Sequence, residues 1–305
     1  MEAGATIEQG GLESYDHKIT YGVWEMQHPE CFERGIESGD AVKILQLCFA
    51  VISICQVIFM FTRAPKVAWE SIYLPLAECI TYFLAFTGYG VLRMSDGRIF
   101  PWARMASWVC TCPVMLGQVS AMGLIKWKSV PLNNVMIAAS LVRVCMGITA
   151  TVTPNDNLKW MFFFFGVTCL LFEYTCVFTI FQLTINDFEE IGSPLGNFVA
   201  GRARILRIIF HTAWTCFPVL WVLSSTGTCM LDENTSATLF MLADAACKNM
   251  YGLILWNTTW GHLNGKWDRD YVRSQIEAKE EKPADKEMSQ VPPAAQDDGV
   301  KVFGR

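Results

Sequence analysis

Charge is the scarcest property of this sequence. Only 17% of its 305 residues are Asp, Glu, Lys or Arg, against 52% hydrophobic residues that include 20 Phe and 11 Trp. A soluble domain carries about 25% charged residues, so the shortfall excludes an ordinary soluble globular class and points to a membrane protein. The net charge of -5 comes largely from the acidic stretch before Asp40 and the mixed-charge stretch after Tyr271, and neither end resembles a nucleic-acid-binding segment. Gly/Ser- or Pro-rich hinges and internal repeats are missing, which leaves one compact bundle with a polar head and tail. No Cys/His spacing matches a zinc site, so no metal is expected. The first 40 residues lack the basic and apolar regions of a cleavable signal peptide. The first membrane helix is therefore expected to act as the targeting signal, with the polar N-terminus translocated whole.

What is present is a series of seven apolar segments, at about 41–62, 70–92, 101–125, 133–153, 158–185, 206–227 and 236–260. Each is long enough to cross about 30 Å of hydrocarbon. The expected organisation is an all-α membrane protein: a polar N-terminal segment over 1–40, a seven-helix bundle over 41–262, and a tail over 263–305 that is disordered after about 278. Arg63 and Lys66, Lys126 and Lys128, Arg202, Arg204 and Arg207, and Lys266, Arg269 and Arg273 fall in alternate flanks. The positive-inside rule then places the N-terminus outside and the C-terminus in the cytoplasm of a plasma-membrane protein.

Ten of the twelve cysteines lie in apolar runs, where a thiol behaves as a small hydrophobe. Cys31 and Cys229 sit in polar flanks expected on the outer face, where they are free to form one disulfide. On the same face Asn234-Thr235-Ser236 is a glycosylation sequon, whereas Asn257-Thr258-Thr259 falls in or beside the membrane.

Within the apolar runs the polar residues are few. They are Ser53 and Gln56 in the first segment, Glu78 in the second, and Arg104, Ser107 and Thr111 on one face of the third. Arg143 and Glu173 follow in the fourth and fifth, and Asp244 and Lys248 lie one helical turn apart in the seventh. Ionisable residues at membrane depth are costly and mark functional sites, aimed at one another or at a cavity. A structural ion pair is the bland reading for Arg143 and Glu173, and snorkelling of Arg143 to an interface is its rival. Trp108 with Pro113, and Trp214, Phe217, Pro218 and Trp221, put rigid rings beside helix-kinking prolines. An aromatic stripe alone more often means core packing. Beside a buried amine it also makes a slot in which an aldehyde can condense with lysine, and Asp244 is the carboxylate available to balance the resulting charge.

Lysine in the last of seven helices, Asp one turn before it, and Arg104-x-x-Ser107-Trp108-x-x-Thr111-Cys112-Pro113 resemble the microbial rhodopsins. Longer strings narrow this: Pro101 to Trp108, Asp244 to Asn249, and Gly261 to Tyr271, with Arg63-Ala64-Pro65-Lys66 and Tyr73-Leu74-Pro75. Over roughly 31–272 the chain is similar to the anion channelrhodopsins of cryptophyte algae. The resemblance implies all-trans retinal on Lys248, with Asp244 as counter-charge and Ser107, Trp108, Thr111, Cys112, Trp214, Phe217, Trp221 and Cys247 around it. It implies a gate or conduction path at Ser53, Gln56, Glu70, Glu78, Tyr82, Ala85 and Arg104, a Cys31–Cys229 disulfide, and a homodimer in the lipid bilayer. Three positions depart from the pattern: Phe217 where relatives have tyrosine, Ala68 where a proline is expected, and Arg143 where a small residue is expected.

A proton pump needs ionisable groups along the third helix. Ser107, Thr111 and Gln118 occupy those positions and none ionises. Outward proton pumping by that route is therefore not expected, and the resemblance, with the polar line Ser53, Gln56 and Glu78, implies a passive channel for chloride, bromide and nitrate, with a light-driven inward chloride pump as the alternative. A seven-helix chemoreceptor is disfavoured, because Asp-Arg-Tyr and Asn-Pro-x-x-Tyr are both missing.

Overall fold

The computed structural model describes residues 39–63, 69–94, 98–122 and 132–262. The helices are α1 (Asp40–Arg63), α2 (Trp69–Thr87), α3 (Trp102–Met122), α4 (Leu132–Val152), α5 (Asp156–Glu190) and α6 (Pro194–Leu223). The seventh rod is built from α7 (Glu233–Asp244), a π-helical turn (Ala245–Met250) and α8 (Tyr251–His262). Between α2 and α3 a short antiparallel hairpin pairs β1 (Leu92–Arg93) with β2 (Ile99–Phe100). The rods follow one another around a ring, each packed on the next and α7 back on α1, while α2 also meets the seventh rod and α3 reaches α5.

The distribution of side chains is that of a protein whose solvent is lipid. Ile44, Ile52, Phe61, Phe164, Leu171 and Ile208 face outward, and Glu78, Thr111, Glu173, Asp244 and Lys248 are buried. Helices spanning hydrocarbon satisfy their backbone groups internally, and the interior receives the polar side chains. By length and composition alone α1, α4, α5 and α6 are apolar enough to cross a membrane. The apolarity of α2, α3 and the seventh rod is diluted by Glu70 and Glu78, by Arg104, Ser107 and Thr111, and by Asp244 and Lys248.

Three boundaries differ most from the sequence expectation, the first being the second helix, which ends at Thr87 and not at 92. The fifth helix runs on to Glu190 and the sixth begins at Pro194, twelve residues before the expected 206. Apolarity ends where hydrocarbon ends, but helices protrude beyond it. Ser193 caps α6 by accepting from Gly196 N at 3.0 Å, and Pro194 follows in the first turn. Gly192, at φ +69, takes the left-handed residue that closes α5. Arg202, Arg204 and Arg207 therefore lie on a helix and not in a loop. At the other end of α6 the chain doubles back so tightly that a Cβ at Gly227 would lie 2.1 Å from Val222 O.

Cys31 and Ala68, together with the tail expected over 263–305, lie outside the described residues. Cys229 is buried at the head of the seventh rod and is not among the ten free cysteines. Asn234 is exposed, and its Oδ1 accepts from Gly39 N at 2.6 Å, tying α7 to the start of α1.

Candidate functional site

Lys248 sits in the π-helical turn, 1% exposed. Such turns insert an extra residue into an α-helix and recur at functional sites. Its Nζ lies 2.9 Å from Asp244 Oδ1, and it also contacts Glu78 Oε1, which reaches in from α2. Asp244 accepts on both oxygens: Tyr82 OH donates to Oδ2 at 2.5 Å and Trp108 Nε1 to Oδ1 at 3.2 Å. Ser107 Oγ donates to Glu78 Oε1 at 3.1 Å, while Glu78 Oε2 is buried without a hydrogen-bond partner. One amine is thus shared by two carboxylates held from three directions. Glu78, expected at the gate and left open as a second counter-charge, stands on the lysine itself, because Glu78 and Lys248 both face the centre of the ring.

Beside the lysine a second polar cluster closes α1 against the seventh rod. Asn249 Nδ2 donates to Ser53 Oγ at 3.0 Å and to Gln56 Oε1 at 3.1 Å, and Gln56 Nε2 returns a bond to Asn249 O at 3.2 Å. Ser53 and Gln56 were expected here. Asn249 is a site residue that sequence reasoning passed over, although an amide directly after the lysine in an apolar run was the signal. No hydrogen bond joins Glu70 or Ala85 to this cluster among the described residues. Glu70 lies in the first turn of α2, eight residues before Glu78 and hence about 12 Å away along the axis. Arg104 stacks its guanidinium 4.6 Å over Phe240, and its Nε is buried with no hydrogen-bond partner.

On the other side of Trp108 lies an apolar cavity of about 60 Å³, walled by Trp108, Phe217, Pro218, Trp221, Phe163 and Arg143 among others. Trp108 and Phe217 meet edge-on at 4.8 Å, and Phe163 stacks on Trp221 at 4.6 Å. Trp221 Nε1 is fixed by Thr151 Oγ1 at 2.9 Å. Three of the expected ring residues, Trp108, Phe217 and Trp221, line this cavity. Trp214 does not: it stacks on Phe210 at 4.2 Å, under the Arg143 guanidinium at 4.7 Å. Thr111 bonds back to Ser107 O at 2.7 Å, and Cys112 and Cys247 are buried within electrostatic reach of Lys248.

Across the bundle Arg143 Nε lies 3.2 Å from both oxygens of Glu173. Arg143 Nη2 reaches Ser140 Oγ at 3.3 Å and Cys112 Sγ at 3.7 Å. The structural pair is therefore present, and snorkelling of Arg143 is overturned.

The family model described as "Bacteriorhodopsin-like protein" matches residues 39–262. Bacteriorhodopsin-I of Haloquadratum walsbyi is 24% identical over 189 residues, 61% of this chain and 70% of that protein. Bacteriorhodopsin-II of Haloarcula marismortui is 26% identical over 180 residues, 57% and 68% of the two chains. Among solved structures, the thermophilic rhodopsin of Rubrobacter xylanophilus superposes with a TM-score of 0.64 at 21% identity, covering 72% of this chain and 95% of that one. The red light-activated channelrhodopsin Chrimson gives 0.63 at 15% identity, covering 75% and 80%. These structural likenesses speak to the fold.

Proposed function

The chain belongs to the bacteriorhodopsin-like family of multi-pass membrane proteins, and on that premise we propose that it is a light-gated anion channel carrying all-trans retinal on Lys248. The family implies a covalently held retinal, and the residues fit one. A buried amine with its counter-charges stands behind Trp108, and an apolar cavity with aromatic walls lies before it. Bound through the Lys248 amine with loss of water, retinal supplies visible absorption, a light-driven change of shape and a delocalised positive charge. Asp244 and Glu78 balance that charge, Tyr82 and Trp108 hold Asp244 in place, and Trp108, Phe217 and Trp221 confine the apolar body.

The observation that carries the conduction reading is the amide cluster of Asn249, Ser53 and Gln56. Asn249 follows Lys248 directly on the π turn, so a shift of the lysine backbone moves the amide that joins α1 to the seventh rod. Releasing its three hydrogen bonds separates the helices along a seam of neutral donors beside Lys248, where Lys248 and Arg104 offset the carboxylates of Asp244 and Glu78. Such a lining favours anions, since cation pathways use rings of carboxylates. Ser107, Thr111 and Gln118 cannot ionise and supply no proton relay along α3. The same positions suit an inward chloride pump, which is the second reading. Chloride, bromide and nitrate are the proposed permeant ions. The reading also includes a plasma-membrane location, an outer N-terminus, a Cys31–Cys229 disulfide, glycosylation at Asn234 and a homodimer.

The test is the photocurrent of a voltage-clamped cell as external chloride is replaced. A channel reverses near the chloride equilibrium potential and follows it. A current that keeps one sign across that potential is a pump, and one that ignores chloride defeats both readings.

A further inference from the structure

Apart from the lysine cluster, a second ion pair lies deep in the bundle. Arg143 and Glu173 lie on α4 and α5, across the ring from Lys248. Burying an ion pair at membrane depth adds little stability, because desolvation offsets much of the Coulomb gain. The pair is also asymmetric with respect to the cavity. Arg143 is one of its walls and Glu173 is not, standing behind the guanidinium at 3.2 Å. Trp214 beneath the guanidinium at 4.7 Å and Ser140 at 3.3 Å hold the charge in one position.

We infer that Arg143 and Glu173 form a colour-determining dipole, with its positive end against the part of the cavity far from Lys248. This rests on the proposal that retinal occupies the cavity. Light absorbed by a cationic polyene moves positive charge from the attachment nitrogen toward the far end of the chain. A guanidinium fixed at that end opposes the movement and raises the excitation energy, and Glu173, farther from the cavity, offsets only part of it. The unmodified protein therefore absorbs to the blue of a form with neutral residues at both positions. Arg143 acts here as a positioning charge and takes no part in attachment.

Three variants read out the sign. Membranes bearing the parent protein, Arg143→Met, Glu173→Gln and the double variant are supplied with all-trans retinal, and their absorption maxima are compared. Thermal unfolding of each retinal-free protein serves as a check on folding. Arg143→Met shifts the band to the red and Glu173→Gln to the blue. The double variant moves red of the parent by roughly ten nanometres, the scale set by a unit charge a few ångströms from the moving charge at a protein's effective dielectric. Should Arg143→Met not fold, the opposed shifts of Glu173→Gln and the double variant decide the matter. Shifts of one sign, or no shift in folded variants, overturn the inference. No visible band in the parent protein, or a band that survives Lys248→Ala, overturns the retinal proposal instead.

Discussion

Two buried charge clusters face each other across the cavity, and they solve the cost of burial in different ways. At Arg143 and Glu173 one cation meets one carboxylate, with the ring of Trp214 beneath. The charges cancel and little is left over. At Lys248 one cation meets two carboxylates, Asp244 takes further donors from Tyr82 and Trp108, and Glu78 Oε2 has no hydrogen-bond partner. The first cluster is closed, and the second holds spare acceptor capacity beside a reactive amine. A spare acceptor is a liability in a scaffold and an asset where a charge must be redistributed during function.

The comparison breaks most completely at the lysine. Lys248→Ala is expected to abolish any visible band with added retinal, leave Asp244 and Glu78 buried without their cation, and lower the thermal stability. Removing one partner of a buried pair costs about 3–5 kcal/mol. Adding Asp244→Ala to Lys248→Ala is expected to recover little, because Glu78, Tyr82 and Trp108 stay behind with unmet demands.

At the closed cluster the double change behaves differently. Arg143→Met alone leaves Glu173 unpaired and is expected to cost about 3–5 kcal/mol, whereas Arg143→Met with Glu173→Met restores most of it. A coupling energy of about 3 kcal/mol or more in thermal unfolding is expected from the cycle. Strict additivity would mean that the two clusters do not differ as described.

A smaller effect is expected where the lysine cluster meets α1. Asn249→Ala removes the two hydrogen bonds its side chain donates, each worth about 0.6 kcal/mol between membrane helices. The loss of roughly 1 kcal/mol falls on closure of the seam, so the expected sign in voltage clamp is an anion current in the dark. An unchanged dark current with intact photocurrent would remove this cluster from the gate.

How much of this was legible in the sequence differed between the two clusters. Asp244 and Lys248, one turn apart in an apolar run, announce themselves by their cost, and helical periodicity placed them together even though the turn is π-helical. Ser53 and Gln56 were visible as polar residues in an oily helix. Glu78 on Lys248 and Asn249 on Ser53 depend on how three helices rotate against one another, which no single segment encodes. The Arg143–Glu173 pair was open between two readings for the same reason. Trp214, which the resemblance places in the ring cage, stacks on Phe210 beneath Arg143, itself a wall of the cavity. The early start of α6 escaped because polarity over 186–205 reads as a loop, although Ser193-Pro194 carries the start signal of a helix.

A carboxylate outside the hydrocarbon supplies the control for both clusters, and the smallest effect. Asp232 caps α7, accepting from Thr235 N at 3.0 Å and Thr235 Oγ1 at 2.6 Å. These bonds, the hydroxyl's first, hold its carboxyl below the ordinary carboxylate range. A group whose folded value is depressed contributes stability above its unfolded value and loses it as the pH falls through the folded one. The cap is therefore at full strength near neutral pH and fades below the ordinary range for aspartate. Asp232→Ala is expected to cost about 1 kcal/mol near neutral pH, as caps do, and less in acid, measured by thermal unfolding at both. Water is present to take over the freed donors, so the loss is several-fold smaller than at Asp244, where Tyr82 and Trp108 have no such recourse. A comparable loss at both sites would show that the partners, and not the burial, set the cost.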